Sequence, residues 1–217
     1  MKVAIIGATG FVGAPVLAEI LTHPEVQVTG IVRNTAALPQ HARLTAKACD
    51  ILDVEALAEA LRGHDAVIHA FHPNRDAPDV YEQNVAGHTA IIAAVKKASV
   101  SRLLTVGGAG SLLVPEGVEY IDSSHWDPAF DPYRNAILGT RALYYLLKEE
   151  PELDWVFVAP SAMLRPGERT GAFRYGKNHM LFDAEGNSRI SLEDYAVAMT
   201  SELLEPRHHR ERFTVGY

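Results

Sequence analysis

The chain has 217 residues, 47% of them hydrophobic and 22% charged, the profile of an ordinary globular protein long enough to bury roughly 70% of its unfolded surface. Twenty Lys and Arg against 27 Asp and Glu leave a formal charge of −7, which disfavours non-specific attraction to nucleic acid or anionic lipid. The single Cys49 excludes an intrachain disulfide and a multi-cysteine metal site. No apolar run reaches about 18 residues and the first residues lack signal-peptide features, so the expectation is a cytoplasmic monomer or homodimer with a small-molecule substrate and no nucleic-acid or membrane partner.

Residues 3–6 form a short apolar run leading into Gly7-Ala8-Thr9-Gly10, and residues 11–21 continue with apolar positions spaced for a helix packed on a sheet. Residues 26–32 and 44–48 read as the second and third strands, and Asp53 caps a helix over 54–61 that Gly63 closes. Residues 65–70 repeat the buried-strand signal, a long helix over 79–98 follows, and 102–106 is the next strand, stopping at Gly107-Gly108. Beyond a loop-rich stretch with Pro115, Pro128 and Pro132, the pattern predicts a helix over 133–150 and an interior strand over 155–158 ending at Pro160. The tail adds a short strand around 180–182, a helix over 191–205 capped by Ser191, and a last strand over 212–215. Continuous apolar strands alternating with helices predict an α/β fold with a doubly wound parallel sheet covered by helices on both faces. One domain is expected over residues 1–217, with 160–190 forming most of a small C-terminal, substrate-side region.

In Gly7-Ala8-Thr9-Gly10-Phe11-Val12-Gly13, small residues permit a tight exit from the first strand, close approach of backbone to an anion and close helix packing. Placed directly after a buried strand and before a helix, this run predicts a dinucleotide whose pyrophosphate meets the free amides of the helix start. The second strand ends in Val32-Arg33-Asn34 with no acid to read a ribose 2′-hydroxyl. Arg33, with Thr9 and Asn34 adding hydrogen bonds, predicts a 2′-phosphate there, and so NADP(H) in preference to NAD(H). Asp50 and Ile51 are placed for the adenine edge, while Asp53 reads as a helix cap.

Four further stretches accompany the glycine turn: Asp65-Ala66-Val67-Ile68, Val106-Gly107-Gly108-Ala109-Gly110-Ser111-Leu112, Asp154-Trp155-Val156-Phe157-Val158-Ala159-Pro160 and Pro166-Gly167-Glu168-Arg169-Thr170-Gly171. Together they resemble the atypical short-chain dehydrogenase/reductase superfamily, in particular the small bacterial NADH-flavin reductases. The wider group includes biliverdin IXβ reductase, NmrA-like regulators and sugar-nucleotide epimerases. The resemblance implies a Rossmann-like fold in which Ala70, Phe71 and His72 border the cofactor, and Gly107, Gly108 and Ser111 lie beside the nicotinamide. It also implies that Pro160, Ser161, Ala162 and Met163 continue the pocket wall, with Leu164 close to substrate or cofactor.

One departure from the superfamily bears on chemistry. Relatives that oxidise alcohols or epimerise sugars use Tyr-x-x-x-Lys; Tyr133 stands where that tyrosine is expected, but the residue four later is Ile137. Without the lysine, Tyr133 is a weak general acid or base at neutral pH. Tyr144 and Lys148 have the spacing but fall too late in the chain and read as an accident of a packed helix. A free flavin or similar conjugated acceptor asks less: FMN or FAD enters as substrate, not as a tightly bound cofactor, and the protein holds two rings together and excludes water. Ser111 then hydrogen-bonds the substrate or the carboxamide, or else caps its own loop. Two other readings stay open, an NADP(H)-binding redox sensor that turns nothing over, and a reductase or epimerase of a sugar or other carbonyl. His72, Tyr133, Arg165, Tyr175 and His179 are candidate pocket residues by loop position; no metal site is expected, since no His-Glu-x-x-His occurs. The basic run at 207–212 reads as solvated surface.

Overall fold

The computed structural model describes residues 1–217. Its first half runs β1 (Lys2–Ile6), α1 (Gly13–Ile20), β2 (Gln27–Val32), β3 (Leu44–Ala48), α2 (Val54–Leu61), β4 (Ala66–His69), α3 (Val80–Lys97) and β5 (Arg102–Val106). After a long connection come α4 (Arg134–Lys148), β6 (Asp154–Pro160), β7 (Met163–Arg165), β8 (Arg174–Gly176), β9 (Arg189–Ser191), α5 (Leu192–Leu204) and β10 (Glu211–Gly216).

The large sheet has the order β3-β2-β1-β4-β5-β6-β10-β8, and every neighbouring pair is parallel except β8 against β10. This is the doubly wound arrangement expected from the strand-helix rhythm. Alternation within β1 shows why both faces must be covered: Ala4 and Ile6 enter one apolar core, Val3 and Ile5 the other. The first core is closed by residues of α2, α3 and α4, such as Leu57, Ile91 and Leu143. The second is closed by α1 and α5 through Val16, Leu17, Tyr195 and Met199. Buried Tyr195 also donates its hydroxyl to the Val158 carbonyl at 2.6 Å, tying α5 to the middle of the sheet. No helix is long and apolar enough to cross a membrane.

The capping residues do what their types dictate. The Asp53 carboxylate accepts from the Ala56 amide at 3.0 Å, and Gly63 ends α2 at φ +75°. The Ser191 hydroxyl oxygen accepts from the Asp194 amide at 3.0 Å and donates to the Glu168 carbonyl at 2.8 Å, while the Tyr217 hydroxyl, 2.9 Å away, donates to the Asp194 carboxylate at 2.7 Å. Asp194, at the third position of α5, does not reach back to its own helix start. Its carboxylate accepts instead from Thr170 Oγ1 and the Gly171 amide, holding the 166–171 loop against the helix.

One expected strand is corrected. Residues 180–182 form none, and the short strands of the tail are β7, β8 and β9. The Met180 amide donates to the Leu113 carbonyl at 2.9 Å and its side chain is buried in the first core, so its apolar character reflects side-chain packing with no ladder continuing beyond it. Ser191→Ala should lower unfolding free energy by about 2 kcal/mol and exposed Asp53→Ala by about 1 kcal/mol, because Ser191 closes one buried and one half-buried hydrogen bond and Asp53 a single exposed one. Urea midpoints at constant m-value check this, and equal losses would show that Ser191 is only a cap.

Candidate functional site

Strand order reverses at β1 and β4, whose carboxyl ends open on a crevice. The chain leaves β1 through Gly7, which has φ +82°, and a Cβ there would sit 2.6 Å from the Ala70 carbonyl oxygen at the end of β4. At Gly13 a Cβ would fall on the Gly7 carbonyl itself. These contacts leave the glycine turn room only for backbone, and the amides of Phe11, Val12 and Gly13 donate to no acceptor within the protein. A cradle of free amides at a helix start fits an anion such as a pyrophosphate.

The crevice has two joined lobes. The first, about 390 Å3, is walled by Gly7, Thr9, Gly10 and Val12 on one side and by Ala70 and Phe71 on the other. It continues past Arg33, Ile51 and Phe71 into a shallower hollow of about 440 Å3 that Asp50 also borders. The second lobe, about 510 Å3, lies beyond Gly107 and Gly108. Its floor includes Pro160, Ser161, Ala162 and Met163 at the exit from β6, and Tyr133 stands on its far wall. Phe11, His72, Arg75, Gly107, Thr140 and Leu164 border both lobes.

The structure therefore gathers most of the expected residues around one crevice, and it displaces three groups of them. Ser111 is 1% exposed and lines neither lobe; its oxygen accepts from Arg212 at 3.1 Å, so the hydroxyl braces the loop after β5 from behind. Asn34 accepts from the Ala36 amide at 3.0 Å, capping a short turn outside the crevice. Tyr175 packs on Phe173 and Phe213, and His179 bridges to Leu113, both away from the crevice. Ser161 keeps its place in the wall, but its hydroxyl donates to the Val215 carbonyl at 3.0 Å. Gly13 acts through close packing and is buried under the turn.

The connection between β5 and α4 supplies a wall that periodicity does not reveal. Trp126 and Phe130 pack at 5.7 Å between ring centres, tilted by 53°, and line the second lobe with Tyr133. The Trp126 indole donates to Asp131 at 2.7 Å, and Arg134 and Arg141 both pair with Asp122, which pins the segment to α4. Arg75 lies with its guanidinium carbon 5.2 Å from the Tyr133 ring centre. The readable signal for it was its place three residues beyond His72 in the loop after β4. Ile137 projects into the second lobe beside Thr140, so the wall below Tyr133 is a branched aliphatic side chain and a hydroxyl. Tyr144 and Lys148 lie elsewhere: Tyr144 packs on Phe157 with Arg212 over its ring at 4.2 Å.

Beneath the first lobe lies a buried histidine pair. The Phe71 amide donates to His69 Nδ1 at 3.3 Å, and His69 Nε2 stands 2.9 Å from His88 Nδ1. This network assigns the His69 proton to Nε2, donating to His88, whose own proton is then on Nε2. Both rings are almost fully buried, at 1% and 2% exposure. Burial brings the His69 pKa down to about 3, and it lowers that of His88 well below the ordinary value, with proximity to His69 adding to the effect.

A family described as NAD(P)H-binding matches residues 7–206. The uncharacterized protein YwnB of Bacillus subtilis is 35% identical over 218 residues, covering 99% of this chain and 98% of that protein. A candidate epimerase from Bacteroides thetaiotaomicron superposes at a TM-score of 0.90 with 42% identity, over 100% of this chain and 96% of that one. A candidate NADH-flavin reductase from Streptococcus pneumoniae superposes at 0.85 with 28% identity, over 100% of this chain and 99% of that one.

Both buried histidines are held neutral in the folded chain, whereas in the unfolded chain each takes up a proton near pH 6.5. Stability is therefore full above about pH 6.5 and falls as pH drops below it, by about 1 to 3 kcal/mol between pH 7.5 and 5.5 for the pair. Urea titrations of the wild type and of His69→Gln/His88→Gln over that interval test this. The same pH slope in both would remove the pair as its source.

Proposed function

The chain belongs to the NAD(P)H-binding family, and from that premise we propose that it is an NADPH-dependent reductase passing hydride to a free flavin or similar flat, conjugated acceptor. The observation that carries this reading is the wall beneath Tyr133, where Ile137 occupies the position from which a lysine would activate the phenol. A reaction that needs the protein to move a proton in the rate-limiting step has no lysine-activated donor there. When bound, a reduced nicotinamide supplies a hydride, and a conjugated ring takes it with a solvent proton completing the reduction.

The chain's own residues then have positional tasks. The amides of Phe11 and Val12 would bind the pyrophosphate, with Gly13 packed beneath them, and Ala70, Phe71, Asp50 and Ile51 would hold the adenosine half. Gly107 is kept bare by the buried Phe157 ring behind it, and Gly108 carries no side chain towards Thr140 at the junction of the lobes, which would leave room there for a nicotinamide ring. Pro160, Ala162, Met163 and Leu164, which line the second lobe, would keep water from that ring, and Trp126, Phe130 and Tyr133 would offer aromatic surface to the acceptor. Tyr133 orients the acceptor through its ring and hydroxyl without acting as a general base. The name of the Bacteroides relative points to epimerisation, which removes and returns a proton or hydride at one carbon; the aliphatic wall at Ile137 counts against bringing that chemistry across.

Arg33 supports the phosphate-bearing cofactor. It stands between the first lobe and the adenine-side hollow, is exposed, and pairs with no carboxylate in the protein. Arg33→Ala should weaken NADPH binding by roughly 1 to 3 kcal/mol and leave NADH nearly unchanged, as read by calorimetry; equal losses would mean that Arg33 does not read the 2′-phosphate. For the reaction, NADPH oxidation is followed anaerobically with FMN, FAD, riboflavin and quinones as acceptors. Turnover above background is expected with at least one, and none with any of them would end the reductase reading in favour of a cofactor-binding sensor.

A further inference from the structure

Arginine in this chain is mostly spoken for. Arg102 pairs with Asp154 and Glu202, Arg141 with Glu119 and Asp122, Arg169 with Glu19 and Arg189 with Asp183. Arg43 and Arg174 donate to backbone carbonyls, and Arg212 to Asn178 and Ser111. Arg33, Arg75, Arg165 and Arg210 alone have neither a carboxylate nor an oxygen acceptor; the single polar contact of Arg165 is to the Met163 sulfur at 4.0 Å. Three of these four border the crevice, and two of the three, Arg75 and Arg165, border the second lobe.

That concentration runs against the charge of the whole molecule, which is formally −7. The second lobe has one carboxylate in its wall, Asp127, and it is engaged by the Ala129 amide at 2.9 Å as the cap of the following turn. Two unpaired guanidiniums therefore border a cavity whose other lining is mainly aromatic and aliphatic, with His72, Thr140 and Ser161 among it. Arg75 is held in place by the Tyr133 ring, and Arg165 sits at the end of β7, next to Leu164 in the wall common to both lobes. A planar guanidinium beside an apolar slot matches a ligand with a flat body and an oxyanion at one end, because the fork of N–H donors is directional and the slot is not.

We propose that the acceptor is an anion: a flat conjugated ring lies among Trp126, Phe130 and Tyr133, and its carboxylate or phosphate is held by Arg165 with Arg75 beside it. The proposal rests on the reductase reading for the ring and adds the acid group that selects it. Arg33 takes no part, being on the cofactor side of the crevice.

The test is a binding measurement with three flavins that share one ring: riboflavin, which has no acid group, FMN, which has a phosphate, and flavin-10-acetic acid, which has a carboxylate. Dissociation constants are read from quenching of isoalloxazine fluorescence at low ionic strength, with NADP+ saturating so that the phosphate cradle of the first lobe is unavailable. At least one of the two anionic flavins should bind roughly tenfold or more tightly than riboflavin, and the preferred one tells phosphate from carboxylate. Arg165→Gln should reduce that preference to within about threefold, Arg165→Lys should retain part of it, and added KCl should shrink it in the wild type. Riboflavin binding as tightly as both anions, no binding of any of the three, or a preference untouched by Arg165→Gln would each overturn the proposal. Since the readout is binding, failure of the reductase reading is seen separately: an intact anion preference without NADPH oxidation removes the reaction and keeps the site, and equal turnover of all three flavins does the reverse.

Discussion

At the end of β1 the Gly7 carbonyl lies against the backbone of Gly13 with no side chain between them, and the Ala70 carbonyl lies against Gly7 in the same way. These two approaches set where α1 begins relative to β4. Had either position carried a Cβ, helix and strand would separate, and the unpartnered amides at the start of α1 would be carried away from the end of β4. The crevice is thus a product of backbone packing at a place where the sheet changes direction. The side chains around it refine what enters but do not create it.

Beyond that point the two lobes are built by different means. The first is lined by the ends of parallel strands, whose positions are fixed by apolar cores on both faces of the sheet. The second is enclosed by a long connection, held by the ion pairs of Asp122 and the indole bond of Trp126, and by the turn that follows β6. The histidine pair lies buried under the first lobe. Its fixed tautomers orient the Phe71 amide and so the start of the loop that runs on to His72 and Arg75.

Much of this was legible in residue order. Strands buried on both faces read as continuous apolar runs, so β1, β4, β5 and β6 announced themselves, and Asp53, Gly63 and Ser191 marked helix ends because their chemistry suits few other places. The glycine turn was readable because its position after a buried strand restricts its meaning. What could not be read depended on contacts distant in sequence. Ser111 follows a glycine pair that does face the crevice, and only Arg212, 101 residues later, shows that its hydroxyl turns the other way. Met180 and its neighbours carry a strand-like composition because a core needed filling. The wall at 120–133 consists of short tight turns without periodicity, and Arg75 gains meaning only from the ring of Tyr133.

Phe11 contributes an amide to the cradle of one lobe and its ring, half exposed, to the wall of the other, and Leu164 is likewise common to both. A molecule resting in either lobe hides part of these two side chains from solvent before its neighbour arrives. The affinities of the two occupants are therefore coupled, and thermodynamic linkage requires each to alter the other's by the same factor. Apolar surface hidden by the first occupant is no longer there for the second to cover, so direct contact between the two occupants, and not the shared wall, is what would favour their pairing.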